Sequence, residues 1–563
     1  MSQKVSDKSI LRVENLSIDF VEKSVPAVSL VAGISFCVPE QGVTAIVGES
    51  GSGKTLTALA LMGILPRERI RLSPSSRVYF YDKMLSGLPE GELCRIRGKD
   101  IAMIFQDAGA CLNPVLPIGV QIAEPLIQHL GLTKKEALSR AEYLLNEVGI
   151  SSPIMRAKAY PHELSGGQQQ RVMIAMAISC GPKLLIADEP TSSLDVTVQR
   201  QIIDLLVRLQ RDHALSIIFI SHDLGLVEEI ADRVIVMHQG VIKEQGNKNE
   251  ILFSPSDPYT QSLIASRHRL DGKRQEVPVS RIEESVVPKS RDPLSQSNDR
   301  HVVLEARDLR KDYRIHFGFR RSHILQAVKG VSFSLGRGET LGIVGESGSG
   351  KTTLARMLVR LVDATAGSVF LKDEEVLHIS SSSFRPMRRR IQIVFQNPYA
   401  SLNPRWSVRR TLTTPMDLHG IGVNADERVE RATSLLVRVG LSKDDLNKYP
   451  HQFSGGERQR LAIARCLTVQ PEILICDECV SALDVSVQVQ VLDLLSDLRN
   501  EFGMSYLFIS HDLAVIRYIA DRVLVMYDGD VVEIAETESL FAAPGHPYTK
   551  QLLSAIHRGE CLA

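Results

Sequence analysis

Apolar residues in this 563-residue chain come in short runs. Residues 43–47, 184–187 and 216–220 are strand-length stretches rich in β-branched side chains, the pattern of buried strands. Between such runs, as at 55–62 and 168–179, apolar positions recur at helical spacing. Strands alternating with helices predict an α/β fold in which a largely parallel sheet is covered by helices. A helix-rich insert is expected at 107–164 and a counterpart at 397–453. No apolar run approaches the roughly 20 residues needed to cross a bilayer, so the chain is not expected to span a membrane.

The pattern occurs twice. Ile46-Val47-Gly48-Glu49-Ser50-Gly51-Ser52-Gly53-Lys54-Thr55 returns as Ile343-Val344-Gly345-Glu346-Ser347-Gly348-Ser349-Gly350-Lys351-Thr352. Later landmarks recur in the same order: Gln106/Gln396, Ser165/Ser454, Asp188/Asp477, His222/His511 and Tyr259/Tyr548. Self-similarity over this length means duplicated domains. Between the copies lies a Pro-, Ser- and charge-rich stretch without periodicity, which reads as an exposed connector. The expected division is a first domain at 1–265, a linker at 266–300 and a second domain at 301–563.

Composition narrows the class. Hydrophobic residues make up 44% and charged residues 23%, with 66 basic against 66 acidic side chains, a balance that excludes no partner and gives no general pull toward nucleic acid, though a local basic face is compatible with it; no direct nucleic-acid partner is expected. The first ten residues are polar and lack the apolar core of a secretory signal, which makes the cytoplasm the expected compartment. Eight cysteines are scattered without disulfide-like spacing and read as reduced thiols. Cys476 and Cys479 have C-x-x-C spacing, but no second Cys or His pair lies near in sequence to complete a tetrahedral metal site.

The pattern G-x-x-x-x-G-K-[ST] follows an apolar strand and precedes a helix in both halves, the context of a phosphate-binding loop. Its glycines let backbone N–H groups close around phosphate oxygens, and the helix presents its positive end to the same anion. Lys54 and Lys351 are expected to bridge the β- and γ-phosphates, with the hydroxyls of Thr55 and Thr352 ligating Mg²⁺. Two further apolar strands end in paired carboxylates, Asp188-Glu189 and Asp477-Glu478. Ligands of open α/β sheets sit at the carboxyl ends of strands, so Asp188 and Asp477 are candidate members of the Mg²⁺ shell. Glu189 and Glu478 are candidate general bases for an attacking water. An isolated Asp-Glu is more often a solvated strand end, but its duplication beside two phosphate loops favours the chemical reading.

Between loop and acidic strand stand Leu164-Ser165-Gly166-Gly167-Gln168 and Phe453-Ser454-Gly455-Gly456-Glu457. These resemble the signature motif of the ATP-binding cassette ATPases, a resemblance that covers residues 10–265 and 301–557. It implies tandem P-loop domains, each with a helical subdomain, that hydrolyse ATP with Mg²⁺. It further implies that Ser165, Gly166 and Gly167 meet ATP held by the opposite cassette, as do Ser454, Gly455 and Gly456. Gln106 and Gln396 match the family's Mg²⁺- and water-sensing glutamine, and His222 and His511 its γ-phosphate histidine. Asp195 and Asp484 match the aspartate of the inter-cassette loop. Phe20 and Tyr313 stand where the family stacks a ring on adenine. The resemblance therefore implies head-to-tail cassettes with Lys54 and Ser454 around one ATP, Lys351 and Ser165 around the other, and turnover at both sites.

Three classes of tandem cassette lack membrane segments. The ribosome-acting class carries a long basic helical linker and usually an Asn-His loop, whereas these loops read Thr191-Ser192-Ser193-Leu194-Asp195 and Val480-Ser481-Ala482-Leu483-Asp484. DNA-repair relatives carry inserted zinc modules, and no cysteine cluster of that kind is present in the sequence. Cys111-Leu112-Asn113-Pro114 and Ser401-Leu402-Asn403-Pro404, with Asp257-Pro258-Tyr259-Thr260 and His546-Pro547-Tyr548-Thr549, resemble elements of the peptide, nickel and glutathione importers. The first copy lacks the histidine, so its tail contacts are expected to be less secure. Only Cys561 follows the second copy, so no iron-sulfur cluster is expected. The importer reading implies two integral-membrane permease subunits, an extracytoplasmic solute-binding protein and a peripheral position on the cytoplasmic face of the inner membrane. Short peptides are the first candidate cargo, followed by glutathione, nickel complexes and peptide-like antibiotics. The basic run at 385–390 is read as a solvated edge, and Trp406 as either core packing or a receiver for a permease helix.

Overall fold

A computed structural model describes residues 9–22, 25–66, 68–192, 194–271, 301–317, 321–481 and 483–554. The chain divides into two compact units at the boundary between Arg267 and His268. Helix Pro258–Asp271 runs on into the segment read as a connector, whose remainder, 272–300, lies outside the described residues.

The strand-length apolar runs form the centre of each unit. In the first, the sheet order is Val241–Asn247, Arg233–His238, Val43–Val47, Ser216–Ile220, Leu184–Asp188, Ile101–Ile104. Every neighbouring pair is parallel except the hairpin of Arg233–His238 with Val241–Asn247. Residues of one strand alternate between faces. Val43, Ala45, Val47, Leu185, Ala187, Ile217 and Phe219 therefore pack with the insert helices, while Ile46, Leu184, Ile186, Ile218 and Ile220 pack with a second core. The second unit repeats this order with Asp530–Glu536, Arg522–Tyr527, Thr340–Val344, Ser505–Ile509, Ile473–Asp477 and Ile391–Val394.

That second core belongs to an antiparallel sheet absent from the sequence reading. Ser9–Glu22 pairs with Val25–Pro39, Ile70–Leu72 and Arg77–Phe80. Its counterpart joins Val302–Phe317 to Arg321–Gly336 and Ala366–Leu371. The expected inserts are helical, with Ile118–Leu130 and Lys134–Glu147 in the first unit and Val408–Leu418 and Ala425–Arg438 in the second. Cys466, Cys476 and Cys479 are buried in the core of the second unit.

Candidate functional site

Parallel strands release their chains at one edge of a sheet, and the candidate residues follow four of them. In the first unit, Val43–Val47 leads to the glycine loop, Ile101–Ile104 to Gln106, Leu184–Asp188 to Glu189 and Ser216–Ile220 to His222. This is the strand-end location at which α/β sheets bind ligands.

The loop closes tightly at its first glycine. Gly48 has φ 150°, and a Cβ there would lie 2.1 Å from the carbonyl oxygen of Met237; Gly345 has φ 152° and the matching distance to Met526 is 2.2 Å. Only glycine fits that approach. The loop then curls around its lysine. Lys54 Nζ donates to Gly48 O at 2.8 Å and Glu49 O at 2.9 Å, and Lys351 Nζ to Gly345 O at 2.7 Å and Glu346 O at 2.8 Å. Both lysines are buried, which strengthens their pull on an anion. Within the loops, Ser50, Gly51, Ser347 and Gly348 face solvent, whereas Ser52, Gly53, Ser349 and Gly350 are covered or nearly so.

Beside each loop, a hydroxyl meets a carboxylate: Thr55 Oγ1 donates to Asp188 at 3.2 Å, and Thr352 Oγ1 to Asp477 at 3.1 Å. Burial pushes the Asp188 carboxyl up to about 6, partly offset by the Thr55 bond, and burial likewise raises Asp477. A buried carboxylate whose anionic form is disfavoured, next to a hydroxyl, is a hard-oxygen pair that a small divalent cation would stabilise; the residues therefore fit Mg²⁺.

The next residue on each strand is strained. Glu189 and Glu478 adopt φ 46° and 49°, a left-handed backbone that costs non-glycine residues about 1–2 kcal/mol. Their carboxylates accept from Gln106 Nε2 at 2.9 Å and Gln396 Nε2 at 2.7 Å, and each lies 3.4 Å from Nδ1 of His222 or His511. Burial raises the Glu189 carboxyl, but His222, Lys54 and Gln106 outweigh it and hold the group below the usual range. For Glu478, burial is likewise overcome, here by His511 and Lys351. His511 is pulled down by burial and up, more strongly, by Glu478 and Asp512. Each glutamate thus stays ionised and able to accept a proton at neutral pH.

Ser165 and Ser454 are helix N-caps, closing capping boxes with Gln168 and Glu457. Both serines, with Gly166 and Gly455, are exposed. Gly167 and Gly456 are half-buried, and a Cβ added to them would lie 2.5 Å from Val198 Cγ1 and 2.6 Å from Val487 Cγ1, respectively. Asp195 caps helix Val196–Asp212 by accepting from Val198 N at 2.9 Å, whereas Asp484 makes no such side-chain bond. Phe20 is half-buried and paired with Val28 and Ile70, and Tyr313 is exposed and paired with Leu325. Their partner strands brush the loops: a Cβ on Gly53 would meet Val31, and one on Gly350 the carbonyl of Ala327.

The first tail lacks the histidine without losing its anchor, because Asp257 Oδ1 accepts from Tyr259 N at 2.9 Å, as His546 Nδ1 accepts from Tyr548 N at 3.2 Å. Aspartate is as good a helix N-cap. In the basic run, Arg389 donates to Val469 O, Arg390 pairs with Glu472 and Glu374, and Arg388 lies over Phe384, so local partners hold these three arginines. Trp406 is half-buried, with the Arg410 guanidinium 4.5 Å from its ring centre.

A glycine loop around a buried lysine, a hydroxyl–carboxylate pair and an ionised glutamate at the ends of parallel strands define a nucleotide-hydrolysing cassette, present twice. The chain belongs to the ABC transporter family, whose model matches residues 31–192 and 328–481. A second model, "Oligopeptide/dipeptide transporter, C-terminal region", matches 243–292 and 532–560. The chain is 42% identical over 566 residues to the glutathione import ATP-binding protein GsiA of Salmonella paratyphi A, covering 99% of this chain and 90% of that protein. It is 42% identical over 575 residues to GsiA of Escherichia coli O6:H1, covering 99% and 91%. Among solved structures, cbiO1 of Clostridium perfringens, part of an ABC transporter complex, matches 43% of this chain and 92% of that one at 27% identity, with a TM-score of 0.38. The ribosome-acting alternative finds no support in these matches.

Proposed function

We propose that this chain is the ATP-hydrolysing subunit of an importer for short peptides, with glutathione as the first cargo to test. The observation that carries this reading is one hydrolytic geometry built twice in a chain that also matches the oligopeptide/dipeptide transporter C-terminal region. The 42% identity to proteins named for glutathione import points to the particular cargo. An importer ATPase works on membrane permeases, and no helix among the described residues is long and apolar enough to cross a membrane itself. The proposed assembly has two permease subunits and an extracytoplasmic solute-binding protein, with this chain on the cytoplasmic face of the inner membrane.

In the proposed cycle, Lys54 and Lys351 hold the β- and γ-phosphates against the loop amides, while Phe20 and Tyr313 stack on adenine. Thr55, Asp188 and Gln106, and in the second half Thr352, Asp477 and Gln396, would hold Mg²⁺, which neutralises phosphate charge. Glu189 and Glu478 take the proton of the attacking water, oriented by Gln106, Gln396, His222 and His511. The cassettes close head to tail, so that Ser454, Gly455 and Gly456 complete the Lys54 site and Ser165, Gly166 and Gly167 the Lys351 site; the exposed helix starts suit that role. Closure would pull the helical inserts and the permeases docked on them.

Reconstitution with two candidate permeases and a solute-binding protein tests the function: glutathione or a dipeptide should stimulate ATP turnover and accumulate in vesicles. Stimulation by neither overturns the cargo class. For the pairing, Ser165→Ala added to Lys54→Ala should abolish the residual turnover, while Ser454→Ala should leave it. The reverse pattern contradicts head-to-tail sites.

A further inference from the structure

The element that closes each unit reaches back to the phosphate loop. In the second unit, Glu533 accepts from the amides of Gly545 at 2.7 Å and His546 at 3.0 Å, which turns the chain back toward strand Asp530–Glu536. His546 then starts helix Pro547–Ser554, and the Tyr548 ring lies against Tyr527 with centroids 4.4 Å apart. The Tyr548 hydroxyl oxygen accepts from the backbone N–H of Glu346, the second residue of the loop, at 3.0 Å. The first unit repeats the arrangement with different side chains. Glu244 accepts from Ser256 and Asp257 N, Tyr259 lies against His238 at 4.0 Å, and its hydroxyl accepts from Glu49 N at 3.4 Å.

The loop is also held from the neighbouring hairpin, where Gly240 N donates to Ser52 O at 3.1 Å and Gly529 N to Ser349 O at 3.2 Å. Met237 O and Met526 O press on its first glycine. A loop with three positive-φ glycines, Gly48, Gly51 and Gly53 or Gly345, Gly348 and Gly350, has large backbone freedom to lose on gripping phosphate. Holding it beforehand improves affinity. The two tyrosines lie in segments that match the transporter C-terminal region, outside the segments that match the ABC transporter model.

We propose that Tyr259 and Tyr548 are positioning residues: their hydroxyls latch the phosphate loops, so that the C-terminal element sets the ATP affinity of each cassette. The proposal rests on the assignment of ATP to these loops. Phenylalanine keeps the ring contact and removes only the oxygen. Loss of one hydrogen bond at the loop is expected to weaken ATP binding about three- to tenfold.

The test uses the full chain with Tyr259→Phe, Tyr548→Phe and both together, titrated with the fluorescent analogue mant-ATP alongside steady-state ATP turnover and thermal melting. The expected result is a KM and mant-ATP Kd raised about three- to tenfold in the double variant, kcat changed less than KM, and a melting midpoint lowered by no more than the few degrees that one lost hydrogen bond per unit costs. Wild-type affinity in the double variant overturns the latch, as does a loss of affinity accompanied by a melting midpoint lowered by about 10 °C or more, which would mean general unfolding. If the unmodified chain binds no mant-ATP, the ATP assignment itself fails and the latch with it.

Discussion

Two adjacent glycines of the second signature helix should respond to alanine with opposite signs. At Gly455 the nearest atom to a new Cβ is Leu483 Cδ2 at 4.0 Å, an ordinary contact, while at Gly456 it is Val487 Cγ1 at 2.6 Å. Neither glycine has a positive φ, so alanine brings no backbone strain and favours the helix by up to about 1 kcal/mol at each position. At Gly456 that gain is opposed by overlap with a valine that cannot easily turn, because β-branched residues in helices hold one χ1 well. Overpacking of this kind costs about 1–3 kcal/mol. Gly455→Ala should therefore be neutral to stabilising and Gly456→Ala destabilising, with a gap of about 1–3 kcal/mol. In a unit of this size that is roughly 2–10 °C in melting midpoint. Differential scanning calorimetry of both variants measures it. Val487→Ala in the Gly456→Ala background should recover the loss, with a coupling of about 1 kcal/mol or more. Equal midpoints for the two glycine variants, or a double variant no better than Gly456→Ala, would refute the packing argument. Gly167 and Val198, at 2.5 Å, should behave as Gly456 and Val487 do.

Replacing either catalytic-base candidate should silence its own site. Glu189→Gln and Glu478→Gln are each expected to slow hydrolysis there about 10²–10⁴-fold, leaving about half the total turnover if the sites are equal; a single variant that removes essentially all or none of it contradicts that equality. Chelation of Mg²⁺ should abolish hydrolysis, and Thr55→Ala together with Thr352→Ala should raise the Mg²⁺ concentration needed for half-maximal rate; an unchanged requirement would remove the threonines from the metal shell. The Ser454 hydroxyl donates to the Glu457 carboxylate at 2.8 Å, a negative group at the start of the helix proposed to meet phosphate. Glu457→Gln should tighten mant-ATP binding by the full chain, and unchanged or weaker binding would refute a repulsive role for this carboxylate.

The candidate site was legible in the sequence because its parts are local. The glycine loop, Asp188-Glu189, Asp477-Glu478 and Ser-Gly-Gly are each a few consecutive residues, and the strands that deliver them are short apolar runs whose limits match the observed Val43–Val47 and Ser216–Ile220. The antiparallel sheet was not legible, because its long strand Ser9–Glu22 pairs with repeated register shifts that blur a two-residue alternation. Nor could the sequence show the left-handed backbone of Glu189 and Glu478, since glutamate has no special leaning toward that region and the surrounding strands impose it. The equivalence of Asp257 and His546 was hidden for another reason: two dissimilar side chains perform one capping task.

The duplication separates what the architecture fixes from what differs between the halves. Ala187 and Pro190 flank the first acidic pair where Cys476 and Cys479 flank the second. The glutamate–glutamine distances are nonetheless 2.9 and 2.7 Å, both glutamate–histidine distances are 3.4 Å, and the threonine–aspartate distances are 3.2 and 3.1 Å. Agreement despite different neighbours means that the strand ends, not the adjacent side chains, set this geometry. The differences fall around it: Gln168 against Glu457 at the signature helix, Asp257 against His546 at the tail, and His238 against Tyr527 under the tail tyrosine. If the two ATP sites differ, the difference should appear in how nucleotide is gripped and released, with the hydrolytic step the same in both.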